Sequence, residues 1–486
     1  MILLEMGLIW LIVGALLGSL LTFLLGRFGP FIAKSFAIGW TTLLFLFTGL
    51  LWLGFDPSAL GFSYFYEIPW RPTLGISLRV GIDGISFPLL LATTLLTMVA
   101  AIGSVTLIKE RVAVYFGTLL LLEAGVIGVF VSLDLLVFFI FWELVLIPMF
   151  ILIGIWGGAN RRYAAMKFLI FTHVGSILML LGFIMLFFYS GTWDLTILLT
   201  TTLPYMIAFP IMVITFIGFA VKLPVVPLHT WLPDAHVEAP APISILLAGV
   251  LLKMGGYGFI RITISVFPMV STVLAPIIIV LGVVTIFYGA LVALNQKDMK
   301  RMVALTSINH MGLVLVGAFT LTLIGITGAV FLMFNHATAI GLMFLLTGVI
   351  EKRAGSRNID ELSGMGKFMP ITAAFFILGS LASMGMPFFA LFASEFMIFV
   401  GTLSTLPILI FVILAPGIVA GYFIWTIDRI VLSDPRPGTI MRRARDTEIM
   451  ALALLLIPVI LLGLFPAMMV DRILPSVQYL LSLGGL

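Results

Sequence analysis

The chain has 486 residues, of which 62% are hydrophobic and only 9% charged, with a formal net charge of +4 and no cysteine. A soluble domain carries about a quarter charged residues, so this much apolar surface can be hidden only in lipid. Without cysteine, disulfides, thiol catalysis and iron–sulfur ligation within the chain are excluded.

Apolar stretches of about 20 residues cross a ~30 Å hydrocarbon core as helices. The hydropathy pattern predicts fourteen, over 2–26, 31–54, 85–108, 112–132, 135–156, 163–189, 203–228, 240–261, 269–294, 302–320, 322–350, 370–401, 403–430 and 447–470. The first opens at Ile2 without a basic leader or a small-residue cleavage site and reads as a retained anchor. With the N-terminus outside, eighteen lysines and arginines fall on the inner loops and helix ends. Only Arg71, Arg79, Arg261 and Arg472 fall outside. The positive-inside rule expects this asymmetry, and it disappears if one span is added or removed. Lys167, Lys222 and Lys253 complete the 25 basic residues and lie within helices. The fold class is therefore an all-α polytopic membrane protein with both termini outside.

A repeat is embedded in the text. Phe168-Leu-Ile-Phe-Thr-His173-Val-Gly-Ser-Ile177 matches Phe331-Leu-Met-Phe-Asn-His336-Ala-Thr-Ala-Ile340 at five of ten positions, and the same offset of 163 carries Pro224 onto Pro387. The matched segments are the sixth and eleventh helices and then the seventh and twelfth. The unit is thus five helices, and an odd number inverts the second copy. Paired interrupted helices in inverted repeats mark ion-translocating folds. The expected divisions are an N-terminal three-helix segment (1–111), two five-helix repeats (112–262 and 263–432), and a C-terminal loop with the last helix (433–486).

Ionisable residues near a helix centre cost ~2.5–3.5 kcal/mol on insertion scales, which makes each a functional candidate. Glu143 lies eight residues into the fifth helix, ~12 Å deep at ~1.5 Å per residue. Lys222 precedes Pro224 and Pro227, whose missing backbone donors break the seventh helix. A Glu143–Lys222 ion pair would lower the cost of burying both. Lys253 falls thirteen residues into the eighth helix with no carboxylate near it in sequence, so proton exchange at its amine is the functional reading and snorkelling the bland one. Glu395 follows Pro387 by eight residues, within the second interrupted helix. Glu123, midway along the fourth helix, is equally readable as a relay or as a structural carboxylate. His310 and His336 lie within helices, while His229 and His236 flank Trp231-Leu-Pro-Asp234. Imidazoles can pass protons at physiological pH. The seven-residue spacing of His229 and His236 is not a compact metal motif, and no metal is expected. Phosphate loops and nucleophile elbows are absent, and no nucleic-acid partner is expected.

Three segments together resemble the antiporter-like membrane subunits of respiratory complex I and their Mrp relatives. They are Lys222-Leu-Pro-x-x-Pro-Leu-His229-Thr-Trp-Leu-Pro-Asp-Ala-His236-x-Glu-Ala-Pro-x-x-x-Ser244, Leu-Leu-Lys253-Met-Gly-Gly-Tyr-Gly and Asp298-x-Lys-Arg-x-x-Ala-x-Ser307. A glutamate on the twelfth helix, as at Glu395, and Phe141-Trp-Glu143-Leu look like the M-type (chain 4) branch. The resemblance implies that Glu143 and Lys222 form a modulating pair, that Lys253 lies on a central axis and that Glu395 completes a path outward. His229, His310 and His336 would be relays, with Lys167, His236 and Glu123 as further candidates.

The resemblance also implies one proton channel within an oxidoreductase that pumps protons, with no redox catalysis or cofactor in this chain. FMN or F420, iron–sulfur clusters and quinone would belong to partner subunits, and L- and N-type subunits and lipids would be neighbours. The segment Gly385-Met-Pro-Phe-Phe-Ala390 lacks the glycine-rich run of many bacterial M-type chains, which opens the way to an F420H2- or ferredoxin-oxidising relative. The alternatives are an Mrp-type cation/proton antiporter or membrane-bound hydrogenase subunit, and a scaffold that conducts nothing. The expected location is a prokaryotic cytoplasmic membrane.

Overall fold

The protein was analysed as a computed structural model that describes residues 6–436 and 441–485; the expected start of the first span at Ile2 lies outside the described residues. In chain order the principal elements are α1 (Gly7–Leu25), α2 (Pro30–Leu53), β1 (Ser63–Arg71), β2 (Ile76–Ile82), α3 (Phe87–Leu107), α4 (Val112–Val131), α5 (Leu135–Trp156), α6 (Arg161–Ser190), α7 (Tyr205–Lys222) and α8 (Trp231–Glu238). They continue with α9 (Ala241–Ile264), α10 (Pro268–Leu294), α11 (Met299–Phe319), α12 (Leu323–Ala354), α13 (Pro370–Ser383), α14 (Ala390–Thr405), α15 (Pro407–Leu432), α16 (Asp446–Leu464) and α17 (Ala467–Gly484). Among the described residues, thirteen helices are long and apolar enough to cross a membrane. The remaining predicted crossing, the twelfth, is the pair α13 and α14, each too short to span alone.

The structure corrects two of the predicted segments and adds order to one link between them. Helix geometry in the seventh span stops at Lys222 rather than continuing to 228, because Pro224 and Pro227 supply no backbone donors; α8 forms its second half. The last span ends at Leu464, and the chain re-forms as α17, which was not expected. Its buried residues Met469, Ile473, Val477 and Leu480 recur every three or four positions, so α17 lays one apolar stripe on the bundle. Finally, the long link between α2 and α3 folds into an antiparallel hairpin with Tyr66 opposite Val80 and Glu67 opposite Arg79.

The inverted repeat is visible in the backbone. An isolated bridge joins Asp134 to Asp194, and another joins Asp298 to Asn358, each partner displaced by 164 residues. In the first, Leu195 N–H donates to the Leu133 carbonyl at 2.9 Å; in the second, Ile359 N–H donates to the Lys297 carbonyl at 2.8 Å. The aspartates also cap their helices, Asp134 accepting from Leu136 and Val137 and Asp298 from Lys300 and Arg301. These caps open the fifth and tenth crossings, so the two bridges lie at opposite ends of the bundle. Each is paired with an arginine: Arg79 lies 3.1 Å from both Asp134 and Asp194, and Arg357 2.7 Å from Asp298.

Polar side chains decide which helices avoid lipid. In α12 every residue from Gly325 to Ile350 is buried, and α9 and α11 are buried over nearly their whole lengths. These helices carry Lys253, His310, Asn335 and His336, whereas α1 and α2, which carry none of the buried ionisable groups, present wide apolar faces outward. On the lysine- and arginine-rich side, buried Glu448 accepts from Arg353 at 2.7 Å and from Thr106 at 2.8 Å, tying α3, α12 and α16 together. On the same side, Asp360 lies 2.9 Å from both Lys297 and Arg429. The Lys297 hydrogen bond, with Arg429 beside it, holds its carboxyl below the usual range despite some opposing desolvation.

Candidate functional site

Where the two repeats meet, the predicted residues converge. Lys253 Nζ donates to the Ala248 carbonyl at 2.6 Å and lies 2.6 Å from His336 Nδ1. The His336 and His310 rings meet edge to face with centroids 5.3 Å apart. His310 Nε2 in turn lies 3.4 Å from Glu395 Oε1. All four side chains are buried, and His310 Nδ1 and His336 Nε2 have no hydrogen-bond partner. A single line of ionisable groups thus runs from the eighth crossing through α11 and α12 to the interrupted twelfth.

Local backbone irregularities make this line. A π-helical turn over Leu247–Leu251 precedes Lys253, and the wider turn leaves the Ala248 carbonyl to the lysine side chain five residues on. In α12 the neighbour of His336, Asn335, donates to the Ala390 carbonyl at 2.8 Å and so ties α12 to the break. Gly385 has φ +70°, and a Cβ there would stand 2.4 Å from Glu395 Oε2. Gly385→Ala is therefore expected to cost about 1–2 kcal/mol in backbone strain alone and to push Glu395 off His310. A purified variant melting at the wild-type temperature would rule this out.

The first repeat does not form the pair expected of it. Glu143 Oε2 lies 3.0 Å from His173 Nδ1 rather than on Lys222, and Glu143 Oε1 is buried without a partner. Lys222 Nζ is also buried without a hydrogen bond, 5.5 Å from the Trp142 ring centre and 5.6 Å from that of Phe168. Two aromatic faces hold the cation in place of the carboxylate. Trp142, whose ring faces Lys222, directly precedes Glu143, so the two groups are neighbours out of contact.

The other candidates sit around these halves. His229 packs its ring on Tyr288 at 4.5 Å, and fully buried His236 stacks on Phe344 at 4.4 Å with neither nitrogen bonded. Lys167 forms an ion pair with Asp234 at 2.6 Å on the basic side, at the rim of the first repeat. Glu123 is buried in α4 with both oxygens unpartnered, apart from the groups just described. Sequence reasoning named neither His173 as the partner of Glu143 nor Asp83 as that of Arg261, which is buried in an ion pair and not simply an end marker. The internal repeat, which sets His173 opposite His336, was the available signal for the former. Nothing in sequence joins Asp83 to a residue 178 positions away.

Among the described residues, thirteen membrane-length helices and one broken crossing, with an inverted repeat and a buried polar line ending at the break, define a polytopic membrane protein of the ion-translocating architecture. The sequence profile of the family described as NADH:quinone oxidoreductase/Mrp antiporter, TM, matches residues 132–420, and the chain belongs to this family. NADH-quinone oxidoreductase subunit M of Rickettsia conorii is 38% identical over 458 residues, 93% of each chain. F(420)H(2) dehydrogenase subunit M of Methanosarcina mazei is 37% identical, covering 89% of this chain and 90% of its own. A chain in the structure of respiratory complex I from Thermus thermophilus superposes with a TM-score of 0.88 at 28% identity, covering 96% of this chain and 99% of that one.

Proposed function

We propose that this chain is a proton-translocating subunit of a complex I-type pump driven by electron transfer to quinone in partner subunits. The observation that carries the reading is the buried sequence Lys253, His336, His310, Glu395, in which every neighbour is within a hydrogen bond or one ring contact. An ammonium with no carboxylate to fix it can give up its proton to His336, and each imidazole can accept on one nitrogen and release from the other. Glu395, at the helix break, is the terminal acceptor on the way out. His229 and His236 feed Lys253 from the basic side, which we assign to the inside of a prokaryotic cytoplasmic membrane with both termini outside. Lys167 and Glu123 are auxiliary groups. The controlling pair then lies within residues 112–262, and the conducting line leads from Lys253, at the end of that repeat, into residues 263–432.

The control is electrostatic. When Glu143 engages Lys222, the cation is neutralised in place; when it leaves, as in the present geometry, Lys222 repels charge on Lys253 and favours release of its proton. Such a repulsion is strong because little water screens it. Flavin or F420, iron–sulfur clusters and the quinone site belong to partner subunits, which include L- and N-type relatives of this chain. Lys222→Met, which keeps the stem and removes the charge, is expected to leave electron transfer largely intact and to reduce redox-driven proton pumping in membrane vesicles by roughly tenfold. Undiminished pumping by a fully assembled variant would reject the reading.

A further inference from the structure

We propose that His173 is a proton-sensing second partner for Glu143, competing with Lys222 for the same carboxylate; the proposal rests on the reading of Glu143 and Lys222 given above. Glu143 offers one oxygen to His173 at 3.0 Å and keeps the other buried and unbonded, while Lys222 is buried and unbonded in turn. Two complementary buried groups stand without partners while a third group holds the carboxylate. An element with two alternative ion pairs and one carboxylate to share between them is bistable.

The surroundings leave His173 free to act this way. Its side chain is 52% exposed on α6, so a second conformation does not disturb the core. The helices packed against α6 bring few other charges to it. From α5 comes Glu143, and from α7 Tyr205 and Lys222. From α8 come Asp234, already paired with Lys167 and Arg301, His236, stacked on Phe344, and Glu238, which accepts from the Asn160 amide. Lys167 on α6 itself lies nearly two turns away. Among the described residues, only Glu143 is within bonding distance of the ring.

The sign of the effect follows from charge. Protonated His173 is a cation and holds Glu143; neutral His173 can still donate to the carboxylate but loses the attraction between opposite charges, and Glu143 moves to Lys222. Acid therefore favours the open Lys222 and neutral or basic pH the closed pair. The corresponding site in the second repeat, His336, instead contacts Lys253. The two copies of one motif thus divide the work, one imidazole on the controlling carboxylate and one on the conducting amine.

Infrared difference spectroscopy of the full-length purified chain between about pH 5.5 and about pH 8 tests this without any pumping. Carboxylate bands that vanish in Glu143→Gln are expected to shift with pH in the wild type and to lose that shift in His173→Gln, a surface-tolerated change. Retention of the shift in His173→Gln would overturn the proposal. In the assembled complex, His173→Lys places a permanent cation at the site and is expected to lower protons pumped per electron roughly tenfold at all pH values, with His173→Gln removing the acid dependence. A pumping profile in His173→Gln that superposes on wild type would likewise overturn it. Normal pumping by Glu143→Gln would instead reject the role of Glu143 in pumping, while the infrared result still decides whether His173 holds it.

Discussion

In vesicles containing the whole assembly, Lys253→Met is expected to retain electron transfer to quinone and to lose proton pumping by at least ~10-fold. The substitution keeps the length of the side chain but removes the amine that joins the Ala248 turn to His336. The thermal midpoint of the complex is expected to hold or rise. The ammonium is fully buried against a carbonyl and an imidazole, with no carboxylate to offset its desolvation, and replacing such a charge with an apolar side chain of similar volume is often neutral or stabilising. Lys253→Arg is the stricter test. Guanidinium holds its proton at any physiological pH, so a static charge is kept while exchange is lost, and pumping should fail as in Lys253→Met. Pumping by the arginine variant at the wild-type rate would reduce Lys253 to a fixed charge.

The second large effect concerns stability. Arg261 and Asp83 form an ion pair with both side chains buried, and the guanidinium also lies over the rings of Phe62 at 5.0 Å and Tyr257 at 5.6 Å. Removing one member strands the other charge in a medium of low polarity, which typically costs about 3–5 kcal/mol. Arg261→Met is therefore expected to lower the melting temperature sharply and to reduce the amount of intact assembly recovered from membranes. The double variant Arg261→Met with Asp83→Asn should regain most of the loss, because no charge is left unpaired. Failure of the second substitution to restore stability would show that the rings, not the pairing, account for the effect. The link matters to the site because Arg261 closes the helix that carries Lys253, through a second π-helical turn over Phe259–Ile264.

Much of this protein is legible in one dimension. Hydropathy marks each crossing because lipid supplies no hydrogen bonds, so a lipid-facing span must be an apolar helix and a break must be buried in protein. Lys222, Lys253, Glu143 and Glu395 announce themselves because a charge within such a span is costly, and Pro224 and Pro387 announce the breaks. The repeat needs only an offset of 163 residues to be seen. The hairpin Ser63–Ile82 and the helix Ala467–Gly484 escape this reading, since neither crosses the bilayer and neither has a hydropathy peak of its own.

What tertiary structure alone decided is the choice of partner. From sequence, Glu143 and Lys222 are the obvious pair, being opposite charges in adjacent motifs. The packing gives the carboxylate to His173 and the ammonium to two aromatic faces. Likewise nothing along the chain connects Lys253 to His336, 83 residues on, or His310 to Glu395; the close approach of α9, α11, α12 and α14 makes those contacts. The need to bury a charge is a property of one residue and its neighbours along a helix. The group that shares the burial is set by side-chain reach of a few ångströms between helices far apart in sequence, and only the folded bundle fixes that.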